Sequence, residues 1–136
     1  MEITLEQPAR ARLITGEEEL PVPANLGYRS SDPLAVHLAF PPEVTLAGEG
    51  VTWTFARELL AEGLEGPAGQ GDVHIWPCGR ARTVLEFHSP YGLALLQFDS
   101  AALQRFLVRT YAVVRPGEED LGPEVERCLS ALTGQA

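Results

Sequence analysis

The chain has 136 residues, the size of one domain with a real core, and 45% apolar against 21% charged residues excludes wholesale disorder. A net charge of −9 opposes nucleic acid as a general partner, because phosphate binding relies on clustered Lys and Arg. Two cysteines, no apolar run long enough to cross a bilayer and no signal-peptide order at the start predict a reduced, cytoplasmic setting without membrane insertion.

The first half reads as strands. Residues 9–15 (ARARLIT) form the first and 19–31 (ELPVPANLGYRSS) the second. Pro21 and Pro23 remove ladder donors from the second, which predicts an edge or irregular strand. SSDP then makes a turn at Asp32-Pro33. In AVHLAF (35–40), Val36, Leu38 and Phe40 share one face and leave His37 on the other. PPEVTLAGEG is a loop or weak edge strand, and VTWTF alternates Val51, Trp53 and Phe55 with threonines.

At Phe55 the period changes. Phe55, Leu59, Leu60 and Leu64 predict one apolar side of a helix, with Arg57, Glu58 and Glu62 turned elsewhere. Gly63 and Gly66 stop it, and GPAGQG reads as a flexible loop. Strands over 72–78, 82–88 and 92–98 follow. Asp99 or Ser100 caps a helix over 101–114, whose buried stripe is Leu103, Phe106, Leu107 and Tyr111. Residues 121–132 predict a short final helix. The fold class is α+β: one domain over residues 1–136, with a dominant antiparallel sheet and about three helices.

The stretch GDVHIWPCGR is the most suggestive place for chemistry. A hairpin turning at Gly79-Arg80-Ala81 sets Val73 opposite Phe87 and Ile75 opposite Leu85, so the four apolar residues share the inner face. On the outer face Asp72 then meets His88, and His74 meets Glu86. Two histidines and two carboxylates on one face raise the thought of a metal ion. Cross-strand polar pairs are ordinary sheet stabilisers worth about 0.2–1 kcal/mol each, and side chains standing parallel do not converge on an ion unaided. The expectation is therefore a polar pair, with no metal, no cofactor and no catalytic residues. Cys78 falls near Arg82, but no CxxC or Cys-His spacing supports a redox or nucleophilic role. Cys128, beside Leu129 and Leu132, reads as packing.

No GxSxG, P-loop, strand-borne GxGxxG or HExxH is present. Glu58 and Glu62 fit a solvated helix face. Trp53, Trp76, Tyr28 and Phe40 could stack bases on a sheet, and five arginines between Arg80 and Pro116 against Glu86 and Asp99 give a local +3. A single-strand nucleic-acid-binding module is therefore the alternative reading; core and interface packing is the stronger use of those aromatics.

The order of segments carries more than any one motif. VP-x-x-L-x-Y (22–28), DP-x-AV-x-x-x-F (32–40), V-x-W-x-FAR-x-LL-x-EGL (51–64), GDV-x-x-WP (71–77), SP-x-G (89–92) and FL-x-RT (106–110) together resemble the SsgA-like proteins, small sporulation and cell-division regulators of filamentous actinobacteria. The likeness runs from about Leu13 to Leu132. It implies a Whirly-like fold, a twisted antiparallel sheet with helices, assembled as a homo-oligomer, a trimer. It also implies a non-enzymatic adaptor, recruited to the septum, that positions or stabilises the tubulin-like division GTPase, acts with other SsgA-like proteins, or steers cell-wall remodelling. The family offers no catalytic residues to carry over. Aromatics and arginines concentrate in interface hot spots, so Trp53, Arg57, Trp76, Arg105 and Arg109 are the candidates for partner binding or self-association. Arg105 and Arg109, at i and i+4, would form one basic stripe.

Overall fold

A computed structural model describes residues 2–42, 50–90 and 92–119. Eight strands alternate with two helices: β1 (Thr4–Ile14), β2 (Glu19–Arg29), β3 (Ala35–Phe40), β4 (Val51–Ala56), α1 (Arg57–Glu65), β5 (Ala68–Gln70), β6 (Val73–Cys78), β7 (Arg82–Ser89), β8 (Gly92–Asp99) and α2 (Ser100–Val113). All the strands join one antiparallel sheet in the order β4-β3-β2-β1-β8-β7-β6-β5. The sheet-dominated α+β class agrees with the sequence. Two helices lie among the described residues; the expected 121–132 helix, Cys128 and most of PPEVTLAGEG lie outside them.

The sheet rolls up. Trp53 on β4 and Phe87 on β7 stand five places apart in the strand order, which in a flat sheet means about 24 Å. Their ring centroids are 4.7 Å apart, and Phe55 follows at 6.3 Å from Phe87. Inward residues from both ends, among them Leu26, Tyr28, Val36, Leu38, Ile75, Leu85, Phe87 and Phe98, thereby form one core with Leu103 and Phe106 of α2. Burial of this face against water is what drives the curl.

The predicted hairpin register is realised: Val73 pairs with Phe87, Ile75 with Leu85 and His74 with Glu86. Several expectations are corrected. First, β2 is an interior strand, not an edge. It pairs with β1 along its whole length, but with β3 only from Asn25 to Gly27, so Pro21 and Pro23 sit in a locally one-sided stretch where a missing donor is tolerated. Second, GPAGQG is not all loop. Ala68 to Gln70 pair with β6, because the free edge of β6 offers an unmet ladder. Third, Arg57 is not turned to solvent; it is 3% exposed. Fourth, the stripe of α2 ends on buried Thr110, while Tyr111 is half-buried. The Thr110 hydroxyl donates to the Leu107 carbonyl at 2.7 Å and so enters the core satisfied. Asp99 does occupy the N-cap position of α2, but without a capping hydrogen bond from its side chain. Its carboxylate instead pairs with Arg82 Nε at 3.2 Å, and Ser100 Oγ meets Thr83 Oγ1 at 2.7 Å.

Gly63 does not end α1 but lies buried within it, and the helix runs on to Glu65. A Cβ at position 63 would collide with Cβ and Cγ2 of Ile75 on β6. Gly63→Ala is therefore expected to destabilise the protein. The helix-propensity gain of about 1 kcal/mol is outweighed by overpacking of about 1–3 kcal/mol against a branched side chain that cannot swing away. Urea titration would show a lower midpoint, and a raised midpoint would mean that the α1–β6 spacing adjusts freely.

Candidate functional site

Three features on this scaffold could carry function. The first is built around Arg57, which opens α1 directly out of β4. Its backbone N–H donates to the Leu34 carbonyl at 2.8 Å, tying the helix start to the turn before β3. The side chain runs under the end of α2, where the guanidinium lies 5.2 Å from the Tyr28 ring centroid and 5.0 Å from that of Tyr111. Nη1 donates to the carbonyls of Thr110 (3.2 Å) and Val114 (2.6 Å), and Nη2 donates to Glu119 Oε1 at 2.6 Å. The last carbonyls of a helix lack partners and carry partial negative charge, so the guanidinium both satisfies and neutralises the end of α2. Burial pushes the Tyr28 and Tyr111 phenols above their ordinary pKa, and the nearby Arg57 charge offsets part of that rise. The hydrogen bond from Arg57 holds the Glu119 carboxyl below its ordinary value. A cavity of about 730 Å³ opens beside this cluster, lined by Leu34, Glu58, Glu62, Tyr111 and Glu119 among others. Its chemistry is that of a clamp, holding α1, α2 and residues 114–119 together.

The second feature is the outer face of the sheet. Trp76 is half-buried there opposite Val84, and Leu95 and Leu93 stand opposite Glu86 and His88. Val84 is 4% exposed although it points away from the core, and Leu93 is 55% exposed. His74, Glu86 and His88 converge beside this apolar patch: their ligand-type atoms lie within 4.8 Å of one another. Asp72 does not join them, and its backbone carbonyl accepts from the His88 N–H at 2.8 Å. Cys78 is exposed opposite Arg82, whose guanidinium is engaged by Asp99 and Gln97.

The third feature is the α2 stripe. Arg105 and Arg109 are both exposed and line a shallow groove with Gln7, Gln104 and Val108. Gln7 Oε1 accepts from Arg109 Nη1 at 3.0 Å, and Val108 is 65% exposed between the two arginines. The predicted i, i+4 stripe therefore exists as a surface. Trp53, by contrast, spends its ring on Phe87 and is half-buried at the mouth of an apolar groove with Leu13, Val51 and Leu93. Of the four aromatics that could stack bases, Tyr28 and Phe40 lie in the core.

Sequence reasoning also passed over His37. Its Nδ1 lies 2.9 Å from Thr54 Oγ1 and its Nε2 lies 3.4 Å from Asp32 Oδ2. The alternation of 35–40 fixed which face it occupies but not this pairing across to β4.

A family model described as "Streptomyces sporulation and cell division protein, SsgA" matches residues 22–119. The chain belongs to the SsgA family. This match spans β2 through the Glu119 end of the Arg57 clamp. Among curated members, the sporulation-specific cell division protein SsgB of Streptomyces coelicolor is 44% identical over 127 residues, covering 91% of this chain and 90% of the relative. SsgB of Salinispora tropica is 43% identical over 133 residues, covering 95% and 92%. A solved structure from work on SsgB mutations that correlate with longitudinal cell division during sporulation of Streptomyces coelicolor superposes with a TM-score of 0.77 at 43% identity, over 88% of this chain and 94% of that one. The crystal structure of an SsgA-like sporulation-specific cell division protein from Thermobifida fusca gives 0.79 at 32% identity, over 96% of each chain. Membership of this sporulation and cell-division family accords with the resemblance read from the motif series. No helix among the described residues is long and apolar enough to cross a membrane.

Proposed function

We propose that the protein is a non-enzymatic regulator of sporulation-linked cell division, an adaptor that acts at the septum through protein surfaces. The chain-long kinship with sporulation-specific cell division proteins carries this reading. Its partners are then the tubulin-like division GTPase and other SsgA-like proteins, and it works as a homo-oligomer, a trimer of Whirly-like subunits. The clamp fits such a role, because an adaptor needs a fixed shape more than a tuned pocket. The α2 stripe supplies the partner contact: two exposed arginines flank exposed Val108 on a chain that is otherwise strongly acidic. A stripe of this kind meets an acidic surface and accelerates encounter. Trp76 on the outer face and Trp53 at the mouth of the apolar groove are the anchors for self-association. The nucleic-acid reading gains nothing, since the net charge repels phosphate and half of the stacking set is core.

Co-sedimentation with polymers of the division GTPase, together with septal localisation of a tagged copy, tests the proposal. Arg105→Glu with Arg109→Glu is expected to reduce co-sedimentation at least tenfold. Stability should change by no more than about 0.5 kcal/mol, as for exposed positions generally. Undiminished co-sedimentation of the double variant would remove α2 as the contact. A diffuse signal throughout septation, with no polymer association, would overturn the adaptor reading itself.

A further inference from the structure

We infer that His74, Glu86 and His88 form a binding site for one divalent transition-metal ion, with zinc as the ion that its donor set fits best. The site is made by strand geometry. Glu86 and His88 are two apart on β7 and so project from the same face, and His74 is the direct cross-strand partner of Glu86 on β6. One strand thus supplies two ligands and its neighbour the third.

The side chains do not stand parallel. The ligand-type atoms of all three lie within 4.8 Å of one another, and the two imidazoles meet edge to face at 5.3 Å between centroids. Zinc bonds of about 2.0–2.2 Å in a tetrahedral arrangement place ligand atoms about 3.3–3.5 Å apart. Closing the triad on an ion therefore takes side-chain movements of about 1 Å or less, within the reach of small rotamer adjustments. His88 Nε2 and Glu86 Oε1 lie 2.5 Å apart, a contact that the ion would replace.

Two further observations separate this from an ordinary polar pair. Glu86 and His88 already pair with each other, so a polar pair needs nothing of His74, whose side chain makes no hydrogen bond among the described residues. Yet His74 is held in place. Its ring lies against Gly69, its register partner on β5, and a Cβ there would collide with Nδ1. Any other residue at position 69 would push the imidazole off the cluster. The surroundings are partly apolar, because Leu95 and Leu93 stand beside Glu86 and His88 across the β7–β8 ladder.

Two imidazoles and one carboxylate select borderline metals such as zinc, nickel and copper over calcium or magnesium, which prefer oxygen-rich shells. Three protein ligands leave a fourth position for water or for a side chain from a docked protein. The site is independent of the α2 stripe and of the proposed septal role.

Isothermal titration of the full-length, tag-free protein with zinc chloride tests it. One ion per chain is expected, with magnesium giving no signal. His74→Ala and His88→Ala should each weaken zinc binding at least tenfold, and Gly69→Ala should weaken it comparably without removing a ligand. Cys78→Ser should leave affinity unchanged, and circular dichroism checks that each variant is folded. In NMR spectra the His74 and His88 imidazole signals should shift together at one equivalent. Absence of zinc binding would overturn the inference. So would binding insensitive to both histidine substitutions, or lost in Cys78→Ser.

Discussion

Phe87→Ala is expected to lower stability by about 3–5 kcal/mol, the range for removing a buried aromatic side chain. Phe87 is 1% exposed and is the β7 ring on which both Trp53 and Phe55 of β4 rest. The loss therefore reaches further than a local cavity. It removes the contact through which the two ends of the sheet meet, so the β3–β4 hairpin loses its inner support. Urea unfolding followed by circular dichroism gives the energy, and tryptophan fluorescence gives the mechanism. Trp53 should shift to the red in the folded variant as its ring becomes wetter, while Trp76 on the outer face should hardly respond. Leu93→Ala, at a side chain 55% exposed, is the matched control and should change stability by no more than about 0.5 kcal/mol. A cost for Phe87→Ala close to that control would mean that the curl is held elsewhere.

That closure marks the limit of what the sequence discloses. The β6–β7 hairpin was legible because its register and its apolar alternation check each other: a slip by one residue would have scrambled Val73, Ile75, Leu85 and Phe87. The shared face of Val36, Leu38 and Phe40 and that of Val51, Trp53 and Phe55 were legible from local alternation, but the pairing of β3 with β4 was not. The meeting of Trp53 with Phe87 has no local signal, since it depends on the summed twist of the strands between them. β5 was missed because Gly and Pro dominate its segment, and only the free edge of β6 makes a strand of it. The convergence of His74 on Glu86 and His88 was missed because register places residues opposite one another but does not set how rings lean. The His74 ring has room beside Gly69, where a Cβ would meet it, and that residue lies on a strand that composition alone would not assign.

The burial of Arg57 did leave a trace. Arg57, Leu60 and Leu64 follow the i, i+3, i+7 spacing of a single helix face, and Leu103, Leu107 and Thr110 share a face of α2 at i, i+4, i+7. Arg57 was read as turned away from the apolar side by its type, and Tyr111 was read into the α2 stripe where Thr110 belongs, although position points both polar residues inward. Position prevailed because each polar group finds buried partners: Thr110 a carbonyl of its own helix, Arg57 two carbonyls and a carboxylate.

Removing that arginine should therefore be as damaging as removing a core aromatic. Arg57→Ala is expected to cost about 3–5 kcal/mol, the range for breaking a buried ion pair from one side. The Val114 carbonyl loses its side-chain donor and the Thr110 carbonyl one of its two donors, the Glu119 carboxylate loses its counter-charge, and the Tyr28 and Tyr111 rings lose the cation between them. Arg57→Lys should recover only part of the loss, because a compact ammonium cannot reach three acceptors in one plane while lying over two rings. The pH dependence identifies the clamp as the cause. Glu119 has its pKa lowered in the fold, so its contribution is fully present above its ordinary carboxylate value and is lost as pH falls through the lowered one. Tyr28 and Tyr111 have theirs raised, so their contribution holds below the ordinary phenol value and is lost as pH climbs through the raised ones. Thermal melts from pH 7 downward should show a steeper acid loss for the parent protein than for Glu119→Gln, which cannot titrate there. Arg57→Ala should flatten the same acid limb, since Glu119 then has no partner to lose. Parallel acid limbs in all three proteins would show that the Arg57–Glu119 contact contributes nothing to stability.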